Sequence, residues 1–421
     1  MKAIHYLLSA VCCALPTWMS AQHMVQKSLL IEVTNPWQQP QIDAPVVINL
    51  HELNLPFTVG SAIATCETLE IPSQIDDLDG NGTPDEVALV IDLEAKATKQ
   101  ITLTLSEEKR QNPYPARTFA QMLIRDAKKG KHAQAESLTV PGSANVYNLI
   151  YGHGPMMESE LVGYRIYFNQ KQTLDPYGKF TKRLELASCS FYPSDKQLAE
   201  GYGDDVLMVG NSCGIGALKG WDGKQATHME PIASRTERVV SSGPVRAILE
   251  VTVKGWSYQG TTLDLTQRYL LYAGHRDLQI DVIAVAEEQK DITFTTGVQH
   301  IMGTETVMES DHRGLVGSWG RHWPVTDTVK YAKETIGIAT SIPQRYIKQE
   351  VEDKDNFLYE VKLPQNGRFS YHTMFTSRKE QFGFADEKAW FAYMRQWKEQ
   401  LTHPVKVKTR CIESPTNRKK R

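Results

Sequence analysis

The sequence predicts a mainly β chain, a large antiparallel sandwich behind a small N-terminal β module, with few helices. Three observations carry this. Apolar residues recur at every second position through long segments, as in Val245, Ala247, Leu249, Val251 and Val253, the period of a strand with one buried face. Glycine-containing or polar turns separate these segments, and no repeat of roughly 20–50 residues divides them into propeller blades. Convincing helical spacing occurs in one place, near the C-terminus.

The elements follow in chain order. Lys2, an apolar stretch from Tyr6 to Leu15, Pro16 and the small-residue exit Ser20-Ala21 form a secretory signal over 1–21, too short to span a bilayer. Lipidation is the lesser reading, because Val11 rather than a small residue precedes Cys12. The mature chain is expected to be soluble, periplasmic or secreted, with no membrane span. Residues 22–108 read as the β module: Ser28–Val33 and Ala44–Leu50 are strand-like, Val87–Leu93 is a buried run, and Ile101–Leu105 alternates. The polar stretch Ser106–Pro115 is the linker, and residues 109–421 form the larger domain with a C-terminal helix and tail.

In that larger domain Leu161–Phe168 places Val162, Tyr164, Ile166 and Phe168 on one face and Gly163, Arg165 and Tyr167 on the other. Stripes recur at Leu263–Leu271, Leu278–Ala284 and Ile292–Val298. Asp386 caps a helix whose Trp390, Phe391, Met394, Trp397 and Leu401 share a face before Pro404 ends it. That aromatic stripe is read as core packing.

Charge and motifs narrow the function classes. A formal net charge of -2 argues against a nucleic-acid partner, and the one basic run, Arg418–Arg421, reads as a solvated end. Cys66, Cys189, Cys213 and Cys411 of the mature chain allow three disulfide pairings, and their spacing selects none. No nucleophile elbow, phosphate loop or His-Glu-x-x-His helix is present, which disfavours serine hydrolases, nucleotide binders and zinc proteases.

Asp77-Leu78-Asp79-Gly80-Asn81-Gly82-Thr83-Pro84-Asp85 sets oxygen side chains at alternate positions around glycines, the pattern a hard cation prefers. Asp77, Asp79, Asn81 and Asp85 are the expected ligands of a structural Ca2+. Ala88 stands where the EF-hand bidentate carboxylate belongs, so an Asx-rich turn is the alternative. No cofactor is required for catalysis in this reading.

The densest polar constellation lies between 151 and 225. It holds His153 between glycines, Glu158 and Glu160, Arg165 and Tyr167, then Asp175-Pro176-Tyr177-Gly178-Lys179, Asp204-Asp205 and Gly220-Trp221-Asp222. The bland alternative makes Arg165 a sheet-face partner of Glu160 or Asp175. His300 and His372 are two further candidates, each equally well read as a hydrogen-bonded strand histidine.

These residues resemble a family of secreted bacterial proteins catalogued as a domain of unknown function and encoded beside unsaturated-glucuronyl hydrolases in polysaccharide-utilisation loci. The resemblance covers nearly the whole mature chain. It rests on Ser73–Gly82, His153-Gly154-Pro155 with Glu158 and Glu160, Tyr164–Phe168, Asp175–Lys179 and Gly220–Gly223. It implies a galactose-mutarotase-like β-supersandwich and dehydration of a uronic acid at the non-reducing end of an oligosaccharide, as in ulvan breakdown. The partner would be a uronate-containing oligosaccharide.

Chemistry then suggests roles. Arg165 grips the carboxylate, with Lys179 as second cation; Tyr167 or His153 is the base; the other, or His300, is the acid; Glu160 orients them. Tyr177, Asp175, Trp221 and His372 are expected at the sugar. A chain-cutting lyase, a hydrolase using Glu158 with Glu160, and a non-catalytic glycan-binding protein are the alternatives.

Overall fold

A computed structural model describes residues 25–125, 130–288, 290–301, 306–329 and 331–412. The expected leader and the basic tail lie outside the described residues.

The N-terminal module is a small sandwich. A five-stranded sheet (Lys406–Cys411, Gln26–Thr34, Thr98–Ser106, Ser61–Cys66, Leu69–Ile71, in that spatial order) faces a three-stranded one (Gln41–Asn49, Glu86–Leu93, Ser73–Asp76). Leu29, Ile31, Val33, Val46, Ile48, Leu89 and Leu103 fill the space between them. The last strand corrects the expected partition. Lys406–Cys411, expected within the larger domain, pairs antiparallel with Gln26–Thr34, where Val407 adds to the N-terminal core. It completes an edge that would otherwise expose unpaired backbone groups.

Strand Glu86–Leu93 shows why its sequence is a continuous apolar run. Val87, Leu89 and Ile91 point into the module, while Ala88 and Val90 pack outward against Val245, Ile248, Leu270 and Tyr272 of the larger sandwich. Both faces are buried, so alternation disappears.

The larger sandwich is built on a nine-stranded antiparallel sheet. Its order runs Ser137–Pro141, Ser234–Ser241, Arg246–Tyr258, Thr261–Tyr272, Asp277–Ala286, Arg368–Ser377, Glu334–Ser341, Leu315–His322 and Val307–Ser310. Across the core lie a five-stranded sheet (Asp204–Asp205, Leu174–Gly178, Val162–Ile166, Met156–Ser159, Thr118–Gln121) and a three-stranded one (Thr293–Gln299, Asn356–Lys362, Ile347–Glu352). Tyr164, Ile166 and Leu174 meet Leu249, Val251, Leu265 and Ile280 in the main core. The expected helix is present as Glu387–Leu401, its Asp386 cap accepting the Ala389 amide at 2.9 Å. Its aromatic stripe packs on Leu315, Trp319, Ala339 and Met374, as expected. Among the described residues Cys66, Cys189, Cys213 and Cys411 are unpaired.

Candidate functional site

The strand Val162–Ile166 is buried on both sides. Tyr164 faces the main core, and Arg165 faces a cover made by residues 186–205, where Phe191 sits 4.1 Å beneath its guanidinium. Next to the strand end, Gly152 (φ +65°) and His153 (φ +70°) both adopt left-handed backbone. That conformation is uncommon for a residue with a side chain and is found where surrounding structure enforces it. The enforcement is visible: the His153 carbonyl accepts from Phe168 N–H at 2.8 Å, and a Cβ on Gly154 would sit 1.7 Å from the Ile166 oxygen.

This turn lays the His153 imidazole on the Tyr167 ring, centroids 5.7 Å apart and planes within 11°. Tyr147 meets its ring at 5.0 Å. The Tyr167 hydroxyl donates to Asp175 Oδ2 at 3.1 Å, and Arg165 donates to that same oxygen through Nε and Nη2. Arg165 also donates to the Tyr192 oxygen at 2.7 Å, and Asp205 Oδ2 lies 3.6 Å from its Nη2. His153, Arg165, Tyr167 and Asp175 are therefore brought together as the sequence suggested. The role given to Arg165 is corrected: it is 2 % exposed and bound to Asp175, so it cannot grip a substrate carboxylate. The sheet-face ion pair is what the structure contains.

The local electrostatics separate the titrating groups. Burial, then the nearby Arg165 charge, lowers the His153 pKa from its ordinary value, which keeps the imidazole neutral. Burial, then the Asp175 charge, pushes Asp205 well above the usual carboxylate range. Asp175 is raised by burial as well, but Arg165 opposes this at bonding distance, so of the two carboxyls Asp205 is driven the more strongly towards its protonated form. Burial, then Asp175, raises the Tyr167 phenol, so Tyr167 stays protonated and is not the base. A histidine driven towards its neutral form and a carboxyl driven towards its protonated form, the latter 12 % exposed, thus both border the Arg165–Tyr167–Asp175 cluster. Groups whose surroundings drive their pKa values apart are what acid–base catalysis uses.

The sequence reading gave the rim no role: Tyr151 opens the polar constellation unassigned, and Tyr192, Tyr147, His132 and Arg125 are not singled out. Tyr192 and Tyr151 meet edge-on at 5.8 Å, and Tyr151 meets His132 at 4.7 Å. Arg125 donates from Nε to the Asn148 oxygen at 2.8 Å, next to Tyr147. Nothing in spacing marks these residues, because they reach the site from separate loops.

A family model catalogued as a domain of unknown function, DUF4861, matches residues 33–407. The chain belongs to the DUF4861 family. No curated protein matches it. Among solved structures it is similar to an α-mannosidase from Enterococcus faecalis V583, at 12% identity and a TM-score of 0.43, over 91% of this chain and 46% of that one. A glycosyl hydrolase family 38 protein from Enterococcus faecalis matches with the same identity, score and share of this chain, over 47% of its own. The DUF4861 chain spans about half the length of these structures.

Other expected site residues of this DUF4861 protein lie in different surroundings. Lys179 and Glu158 form a fully buried ion pair, and Glu158 also accepts the Glu185 and Leu186 amides. Lys179 is thus no substrate cation, and Glu158 with Glu160 is no hydrolase pair. Glu160 accepts from Arg117 Nε at 2.5 Å and Gly274 N–H at 2.8 Å, so it orients neither His153 nor Tyr167. Tyr177 is buried and donates to Glu185. Trp221 is 9 % exposed, too covered to offer a ring face to a sugar. His300 packs on Phe357 with Glu352 at 3.3 Å, and His372 lines a cavity beside the N-terminal module.

In the acidic loop, carboxylate oxygens of Asp77, Asp79 and Asp85 lie within 4.8 Å of one another. Asp77 also accepts the Gly80, Asn81 and Gly82 amides, so it organises the turn as an Asx residue does.

Proposed function

We propose that this protein is an exported, carbohydrate-active hydro-lyase that removes water from the non-reducing-end uronic acid of an oligosaccharide. The observation that carries the reading is the His153 imidazole stacked on Tyr167, whose hydroxyl is bonded to the Arg165–Asp175 pair, with Asp205 3.6 Å from the same guanidinium. His153 takes the proton from carbon 5, and that C–H pair becomes the carbon 4–carbon 5 double bond. The carbon 4–oxygen bond breaks, and the oxygen leaves as water with a proton from Asp205. Tyr167 holds the imidazole plane and is itself held by Asp175. Arg125, on the rim beside Tyr147, supplies the cation that quiets the substrate carboxylate. The galactose-mutarotase-like supersandwich and a structural calcium ion at Asp77, Asp79, Asn81 and Asp85 belong to the same proposal.

The test uses uronate-ended oligosaccharides followed by mass and by ultraviolet absorbance of the unsaturated product. Loss of one water supports dehydration, whereas release of a shorter sugar supports a chain-cutting lyase. His153→Ala should lower turnover roughly 10²–10⁴-fold with thermal stability close to wild type. Full turnover in that variant would remove His153 from the mechanism.

A further inference from the structure

Tyr147 takes no part in the acid–base cluster, yet its ring stands in solvent beside it. It is 65 % exposed, and its ring centroid lies 5.0 Å from that of His153, the planes tilted by 35°. Three aromatic side chains are exposed among the described residues, Tyr147, Phe180 and Tyr192, and two of the three stand at this site. Tyr192 joins it through Arg165, which donates to the Tyr192 oxygen at 2.7 Å and to the Tyr167 oxygen at 3.4 Å. Aromatic surface gathered at one exposed place marks a contact surface, whereas scattered single residues would not.

The backbone shows that this exposure is built. Val146, next to Tyr147, is buried among Met122, Ile150 and Phe168. The Tyr147 amide donates to Asn145 Oδ1 at 3.0 Å, and the Leu149 and Ile150 amides return to the Val146 carbonyl at 2.8 and 3.1 Å. Arg125 holds the far side: its amide donates to the Leu149 carbonyl at 2.9 Å and its Nε to the Asn148 carbonyl at 2.8 Å. The ring is displayed from a tethered turn, so a ligand that covers it orders little new backbone.

A tyrosine ring offers a flat apolar face whose negative quadrupole attracts the weakly positive C–H groups of a sugar ring and repels a carboxylate. The charged end of the substrate therefore belongs with Arg125, and the ring face belongs with a neutral sugar residue. The reacting atoms must lie against His153, whose other neighbour is the largely buried Tyr167. The rest of an oligosaccharide leaves towards solvent, where Tyr147 is exposed. A ring that only shielded His153 from water would act on every substrate alike, which separates the two roles.

We propose that Tyr147 is the residue that makes the site prefer an oligosaccharide: its exposed face stacks on the sugar residue that follows the terminal uronate. This assignment rests on the dehydratase reading of the His153 site.

The experiment compares kcat/KM for water loss from a uronate-ended disaccharide of ulvan with that from methyl glucuronide, which has no second sugar, on the full mature chain. Wild type should favour the disaccharide. Tyr147→Ala should lower that preference roughly three- to tenfold, the value of one aromatic stacking contact. Tyr147→Phe keeps the ring face and should keep the preference. Both variants should melt close to wild type, since the side chain is mostly in solvent. An unchanged preference in Tyr147→Ala overturns the proposal, including the case in which both substrates slow equally, the signature of a shield. So does a Tyr147→Phe variant that loses as much as Tyr147→Ala. If neither substrate loses water, the catalytic reading has failed, and the same preference is then read from dissociation constants of the two probes by saturation-transfer NMR. Disaccharide binding that Tyr147→Ala weakens would uphold the role of Tyr147 without the chemistry, and absence of disaccharide binding would overturn it.

Discussion

His153 owes its place to a backbone that few side chains accept, and its chemistry to neighbours that keep it neutral. Burial and Arg165 lower its pKa, so an elimination that needs the free base should lose rate only as pH falls below the ordinary histidine value near 6.5. A pH–rate profile with its acid limb at or above that value would contradict His153 as the base. Arg165 carries a different expectation. Its guanidinium, under 3 % exposed, neutralises a buried Asp175 whose Oδ1 already lacks a hydrogen-bond partner among the described residues. Arg165→Ala should therefore cost about 3–5 kcal/mol of stability, measured by denaturant unfolding; a variant as stable as wild type would show that Asp175 simply takes up a proton. The sequence made His153, Arg165, Tyr167 and Asp175 legible because they cluster around glycines within two short segments. Asp205 was visible in the same constellation without a role, since its role comes from burial beside Asp175 and not from spacing. Lys179, Tyr177 and Glu158 look equally chemical in the sequence, yet the cover formed by residues 186–205 turns them into buried structural pairs.

The turn Gly152–Pro155 is the element that delivers the imidazole, and it tolerates no added atom at Gly154. A methyl there meets the Ile166 oxygen at 1.7 Å and the Phe168 nitrogen at 3.1 Å. Gly154→Ala should force turn and strand apart, cost about 1–3 kcal/mol and lower turnover towards that of His153→Ala. Stability and turnover both at wild-type levels would mean that the turn does not set the histidine. Elements with clear alternation were readable from sequence: Gln26–Thr34, Thr98–Ser106, the middle of Arg246–Tyr258 and Asp277–Ala286 bury one face and leave a period of two. The capped amphipathic helix was equally plain. Strand Lys406–Cys411 was not, because four of its six residues are Lys, Thr or Arg and its only inward apolar anchor is Val407. Its position is decided by the open edge of a strand nearly 400 residues earlier, a fact that no local pattern carries.

At the scale of the whole molecule, the two sandwiches are joined by a short apolar patch and by polar bridges. Gln74 donates to the Arg246 carbonyl at 2.9 Å and accepts from the Val245 and Arg246 amides, while Arg246 reaches back to Asp76 and Glu86. His275 belongs to this junction, bonded to the Asp43 carbonyl of the N-terminal module at 2.9 Å. Burial lowers its pKa, but Asp277 and the Asp43 backbone oxygen outweigh burial, and the folded value lies above 6.5. A group raised in the folded state contributes stability that is fully present below its unfolded pKa and is lost as pH rises through the folded one. The junction should therefore be tightest in mild acid and should weaken above neutrality. His372 acts in the opposite sense: burial lowers its pKa, so its own contribution falls as pH drops below 6.5. A wild-type melting curve therefore mixes the two histidines, and a comparison with His275→Gln separates them. The melting temperature gap between wild type and His275→Gln, followed from about pH 5 to about pH 9, should be widest at the acid end and should narrow on passing neutrality. Asp277 is held well below the usual carboxylate range in the wild type, with His275 the leading group that opposes burial, so any protonation of Asp277 in the variant widens the gap at the same acid end. A gap of constant width would mean that His275 joins the two sandwiches as a neutral ring, and its charge would then have no part in holding them together.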